Sequence, residues 1–110
     1  MKRKARIASA IAVAVLVGLS LRVVLAFERF SRVEGSFASI RIGDSRQSVV
    51  ATLGKPNYHA GGCGVIHVPL KNCALEYVYS HPFAPLLPDY YVVSFSTDDR
   101  VIEAERWTSP

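Results

Sequence analysis

The sequence predicts an α+β protein, with one N-terminal transmembrane or signal helix followed by one or two short helices packed on a three- or four-stranded antiparallel sheet. Three features of the chain support this fold class. Residues 7–27 form an apolar run long enough to cross a membrane. Arg46–Leu53 spaces its apolar residues as an amphipathic helix does. Beyond residue 74, apolar and polar residues alternate with a period of two, as in half-buried strands.

Residues 1–27 are predicted to be a membrane anchor or a signal peptide. A 21-residue helix over 7–27 is about 31 Å long, which matches a hydrocarbon core of about 30 Å. Basic residues before the run and Glu28 after it predict a cytoplasmic N-terminus and an external domain. One alternative is an uncleaved single-pass signal-anchor in a bacterial inner membrane, with the domain in the periplasm. The other is secretion to the periplasm after cleavage near Ala26.

The charge of the chain is unevenly distributed. The net charge is +4, but residues 1–26 hold five basic and no acidic residues, whereas residues 27–110 hold eight basic and nine acidic ones. A nucleic-acid-binding surface needs basic residues clustered on one face of the fold. The part beyond the membrane segment has no such run, so we expect no nucleic-acid partner.

The rest of the chain is divided into a stalk or linker at 28–39 and a domain at 40–110. A domain this short buries a modest fraction of its surface and often needs a covalent staple. Cys63 and Cys73 are the two cysteines of the chain, ten positions apart. In an exported protein they are predicted to form a disulfide.

The helix predicted at Arg46–Leu53 has clear start and stop signals. Asp44 and Ser45 are candidate N-caps, and Gly54 with Pro56 ends the helix. Strands are predicted at 74–80, 90–97 and 100–107, with a tight turn at 98–99 and a further candidate strand at 65–68. The last two strands are predicted to form a hairpin.

An apolar, proline-rich loop separates two of these strands. Residues 81–89 contain three prolines, which exclude regular structure, together with Phe83, Leu86 and Leu87. Either this loop folds back to cap the sheet, or it forms an exposed patch that docks on a partner or on the membrane surface. These three residues and the neighbouring Tyr90 are the predicted partner-binding residues.

Residues 42–56 resemble the signature of the SmpA/OmlA-like domain family, which includes the small accessory lipoprotein of the outer-membrane β-barrel assembly machinery. The matching positions are Gly43, Ser45, Val49, Leu53, Gly54 and Pro56. The resemblance implies short helices against an antiparallel sheet and a binding or scaffolding role, without catalysis. This chain differs from that lipoprotein because it has no lipidation cysteine near its N-terminal segment.

Metal binding is the chemistry that the sequence offers most readily. His59, Cys63, His67, Cys73 and His81 carry nitrogen and sulfur ligands that suit zinc or copper. However, the spacing of the first three is helical within a glycine-rich stretch, where no helix is expected. We therefore predict no metal site. No residue pattern in the sequence points to a cofactor or to a small-molecule substrate, and we predict no enzymatic activity.

The preferred hypothesis is a membrane-tethered periplasmic interaction or scaffolding module that acts in envelope or outer-membrane protein assembly and has a protein partner. The alternative is a redox- or metal-responsive envelope sensor that uses Cys63 and Cys73 together with His59 or His67.

Overall fold

The structure is a computed structural model that describes residues 2–61, 63 and 72–108. Its elements in chain order are α1 (Lys2–Ser36), a 3-10 turn (Phe37–Ser39), α2 (Arg46–Leu53), β1 (Tyr58–Gly61), β2 (Leu75–Ser80), β3 (Asp89–Phe95) and β4 (Val101–Thr108). Within this described part, four strands form one antiparallel sheet in the order β1-β2-β3-β4. Both helices contribute side chains to the core on one face of that sheet. The predicted α+β class is therefore confirmed.

Helix α2 forms as its local sequence predicts. The Ser45 hydroxyl accepts a hydrogen bond from the Ser48 amide at 3.1 Å, which satisfies one of the free amides of the first turn. The helix ends at Gly54, whose φ of +84° favours glycine. Between these ends, Val49 and Leu53 are buried in the core.

Helix α1 continues without a break from the apolar segment into the folded domain. Every residue from Lys2 to Leu25 is exposed, whereas Phe30 and Val33 are buried in the core. Segment 28–39, predicted as a stalk or linker, consists of the last turns of α1 and the 3-10 turn, and part of it packs on the sheet. Phe30 and Val33 lie three residues apart and so share one helix face, which covers the apolar face of the sheet.

Strands β2, β3 and β4 lie within one or two residues of their predicted bounds, but β1 is not anticipated by the sequence analysis. Its residues pair with β2 from Tyr58↔Val78 to Gly61↔Leu75. Because β1 is four residues long and shows no alternation of apolar and polar residues, its own sequence carries no strand signal. The candidate strand at 65–68 lies outside the described residues.

The sheet is buried on both faces in its middle, whereas the alternating pattern predicts one buried face. The residues that face the helices are Tyr79, Tyr91, Val93, Phe95 and Val101. The residues on the opposite face are also buried: Glu76, Val78, Val92 and Ser94. Paired strands β2 and β3 therefore form the centre of the domain on both sides of the sheet.

The C-terminal end of α2 accepts hydrogen bonds from two side chains, one on α1 and one on β2. The Arg32 guanidinium donates hydrogen bonds to the carbonyl oxygens of Ala51 at 2.8 Å and Thr52 at 3.2 Å. The Tyr79 hydroxyl donates to the Gly54 carbonyl at 2.8 Å. These donors satisfy carbonyl groups that the last turn of a helix leaves unpaired. The C-terminus of α2 is therefore held against both α1 and the sheet.

The Tyr79 hydroxyl makes the stability of the fold sensitive to alkaline pH. Burial raises the pKa of Tyr79 above its ordinary value of 10.0, and Tyr77 raises it further. A phenol whose pKa is higher in the folded than in the unfolded state stabilises the fold below pH about 10, and this stability is lost as the pH rises further. We expect Tyr79→Phe to lower the free energy of unfolding by about 1 kcal/mol at neutral pH and to flatten its decline above pH about 10.

The matched control for this substitution is Tyr58→Phe, because half of the Tyr58 side chain is exposed. Urea unfolding of both variants and the parent protein at neutral and alkaline pH measures the difference. Equal pH dependence in the Tyr79→Phe and Tyr58→Phe proteins would contradict a role for the buried hydroxyl.

Candidate interaction surfaces

The domain meets α1 where the exposed apolar stretch of the helix ends. An 18-residue window of α1 has a mean hydropathy of 2.5, and none of it is buried, so the helix is long and apolar enough to cross a membrane. Ala26 is the first partly buried residue along α1, and Phe27 makes the first aromatic contacts. We call the end of the domain beside these two residues the proximal end. Two segments flank α1 there, the turn 54–57 and the loop 81–88.

The base of the proline-rich loop is fixed against α1. The Phe83 ring packs edge-on against Phe27, with centroids 5.2 Å apart, and the His81 ring packs against Phe30 at 5.0 Å. The tip of the loop is exposed: Leu86 keeps 88% of its surface, and Phe83 and Leu87 are each about half exposed. Of the two alternatives left by the sequence, the structure therefore shows an exposed apolar patch rather than a cap over the sheet.

Tyr90, the fourth predicted partner-binding residue, lies on a different surface. Its ring packs against that of its cross-strand neighbour Trp107, with centroids 5.6 Å apart. We call these two residues the aromatic pair. They lie on the sheet face opposite the helices, because Tyr91 on the other face belongs to the core. The predicted set is therefore split between the loop tip and the aromatic pair.

An ion pair fixes the end of the hairpin that carries the aromatic pair. Arg106 donates two hydrogen bonds to the Asp89 carboxylate, at 3.1 and 2.9 Å, and its guanidinium lies 5.4 Å from the centre of the Tyr91 ring. The hydrogen bonds from Arg106 to Asp89 raise the pKa of the guanidinium. This two-pronged geometry holds β3 and β4 together at their outer ends.

A groove beside α1 at the proximal end was not found by sequence reasoning. Its volume is about 770 Å³, and it lies between α1 and the turn 54–57. The charged residues that line it, within the described part of the chain, are all basic: Arg22, Arg29, Arg32 and Lys55. These cations come from two segments far apart in the sequence, so no local run of basic residues indicates a basic groove.

Cys63 and Cys73 form a disulfide, as the sequence predicts, with their Cα atoms 5.9 Å apart. The candidate ligands around them are dispersed. The His59 ring packs against Tyr77, and His81 lies at the proximal end against α1. The position of His67 falls outside the described residues. Among the residues that the structure describes, no group of three His, Cys, Asp or Glu side chains could hold a metal ion.

The six residues that match the family signature have structural roles in and around α2. Gly43 has a φ of +95°, and its amide donates to the Val101 carbonyl at 2.8 Å. Ser45 caps α2, Gly54 ends it, and Pro56 lies in the turn beyond. No protein-family model, no curated protein and no solved structure matches this chain. The resemblance to the SmpA/OmlA-like family therefore depends on the signature residues themselves.

Proposed function

We propose that this protein is a membrane-tethered interaction module of the bacterial envelope, which presents a periplasmic α+β domain to a protein partner. The observation that carries the proposal is the continuity of α1. One helix contains the exposed apolar stretch and, nine residues beyond Leu21, the core residue Phe30. Anchor and domain therefore form one body, which suits a protein whose role is to hold a surface at a fixed height above the membrane.

The charge distribution supports this orientation. The four basic residues before Ile7 favour a cytoplasmic N-terminus, and the domain follows on the external side. Arg22 lies near the outer end of the apolar stretch and lines the groove at the proximal end, where a long side chain can extend from the hydrocarbon region to the headgroups. The disulfide is consistent with an oxidising compartment.

The aromatic pair supports a protein partner. Tyr and Trp are enriched at the centres of protein interfaces because they bury large areas with few rotatable bonds. Tyr90 and Trp107 lie at the ends of β3 and β4 that adjoin the proline-rich loop. A partner that binds there is itself in the membrane or close to its surface. As the family resemblance implies, assembly of envelope or outer-membrane proteins is the process that we propose for it.

The tether can be tested by the mass and topology of the mature protein. We expect the membrane fraction to contain the full 12.1-kDa chain, resistant to alkaline extraction, with the domain digested by protease added to spheroplasts but not to intact cells. A soluble periplasmic product that begins at Phe27 would instead establish a cleaved signal peptide and contradict the tether.

The partner surface can be tested by photocrosslinking in living cells. A photoreactive aromatic residue at Trp107 is expected to give a discrete protein adduct, whereas the same residue at Ile42 is not. Ile42 is a fair control because it is 78% exposed and lies beside the opposite end of the β3–β4 hairpin. Adducts of the same size from both positions, or from neither, would contradict a partner surface at the aromatic pair.

A further inference from the structure

We propose that the tip of the proline-rich loop, Phe83, Leu86 and Leu87, inserts into the headgroup boundary of the bilayer that α1 crosses, so that the domain touches the membrane at a second point. This inference rests on the proposed tether. It assigns the loop a lipid surface as its partner, in place of the protein partner that the sequence also allowed.

The loop lies level with the end of the predicted membrane segment. Phe27 is the last residue of the predicted membrane segment, and Phe83 packs directly on its ring. Leu86 lies three residues farther along the loop, and Leu87 donates its amide to the Phe83 carbonyl at 3.1 Å, which keeps the tip close to that contact. The exposed apolar surface of α1 and that of the loop tip therefore meet at Phe27 and Phe83.

The backbone of the loop is suited to lipid. Pro82, Pro85 and Pro88 have no amide hydrogen to desolvate. The remaining donors are largely paired within the loop: Phe83 donates to His81 Nδ1 at 3.0 Å, and Ala84 donates to the His81 carbonyl at 2.9 Å. Since an unpaired amide is costly in an apolar medium, this pairing lowers the cost of placing the loop in the headgroup boundary.

The side chains and charges also favour a membrane surface over a protein. Residues 82–88 carry no charged side chain, and an exposed apolar patch beside a membrane helix extends that helix's lipid contact. On another side of α1, the groove presents Arg22, Arg29 and Lys55 at the proximal end. Cations at this level can contact lipid phosphates while the leucines enter the boundary region.

Depth-dependent quenching of single tryptophans tests the inference. The only tryptophan of the chain is first removed as Trp107→Phe, and the full chain is reconstituted into phosphatidylethanolamine/phosphatidylglycerol vesicles with bromine atoms near the headgroup end of the acyl chains. We expect Leu86→Trp to lose at least half of its fluorescence and to shift to shorter wavelength. Ile42→Trp is the matched control and should lose little, since both native side chains are largely exposed but at opposite ends of the domain.

A third variant separates failure of this inference from failure of the tether. Leu16→Trp lies near the middle of the exposed apolar stretch of α1, so it must respond to vesicles whose lipids carry bromine near the ends of the acyl chains if the helix is inserted. An unresponsive Leu16→Trp protein would overturn the tether and, with it, the loop contact. A responsive Leu16→Trp protein together with a Leu86→Trp protein that behaves like Ile42→Trp would overturn the loop contact only, and a protein adduct from a photocrosslinker at Leu86 would then identify a protein as the occupant.

Discussion

Replacing Phe30 with alanine is expected to lower the free energy of unfolding by about 3–5 kcal/mol, the largest effect of any single substitution considered for this protein. The Phe30 side chain is 7% exposed and packs against His81 and Tyr91, with ring centroids 5.0 and 5.8 Å away. Its loss removes buried apolar area and leaves a cavity that the rigid helix and sheet can fill only in part. Because Phe30 packs α1 against the sheet, the same change should also loosen α1 from the rest of the domain.

Phe27→Ala is the matched control for this prediction, because Phe27 lies one turn earlier on the same helix and is 38% exposed. Thermal unfolding of the full chain in detergent micelles can be followed by the fluorescence of Trp107 in the sheet. The Phe30 variant should melt more than about 10 °C below the parent protein, and the Phe27 variant should fall much less. Equal, small shifts for the two variants would show that α1 is not part of the core.

Removal of the disulfide is expected to have the second largest effect. The double substitution Cys63→Ser with Cys73→Ser should lower the free energy of unfolding by about 2–3 kcal/mol, because the bond closes a ten-residue separation and restricts the unfolded chain. Both cysteines lie close in sequence to the paired strands β1 and β2. The loss should therefore appear as lower cooperative stability of the sheet rather than as a change in helix content.

Thiol counting distinguishes a structural disulfide from the sensor that the sequence left as an alternative. Protein extracted from the envelope under thiol-trapping conditions should contain no free thiol, and glutathione at physiological potential should leave the bond closed. Chemical reduction of the parent protein should then reproduce the stability of the double serine variant. Opening of the bond by a physiological reductant, without loss of the fold, would favour the redox sensor instead.

Local signals carried much of the fold prediction. The bounds of α2 agree with the prediction at both ends because the cap at Ser45 and the stop at Gly54 act on neighbouring backbone groups, which the sequence displays directly. The disulfide was predictable for a different reason: the sequence predicts export, and two cysteines in an oxidising compartment have few alternatives to a disulfide. The bounds of α2 are thus determined by residues close together in the sequence, and the disulfide is predicted from the compartment that the sequence implies.

The features that the sequence did not predict depend on tertiary contacts. Strand β1 exists because β2 pairs with it, and Phe30 is core because the sheet lies against α1. The exposure of Leu86 was equally undetermined, since apolar residues in a proline-rich loop satisfy either a core or a surface position. The basic groove depends on Arg22 and Lys55 lining the same space although they lie 33 positions apart in the sequence, which no local pattern predicts.

The unbroken course of α1 would limit how the domain finds the partner that we propose. A flexible linker would let the domain search a volume whose size grows with linker length. If α1 crosses the membrane as proposed, the unbroken helix gives no such reach, and the main freedom left to the domain is rotation about the helix axis together with diffusion in the plane of the membrane. Encounter with the proposed partner would then be a two-dimensional search, with a rate set by lateral diffusion and by the direction in which Tyr90 and Trp107 face.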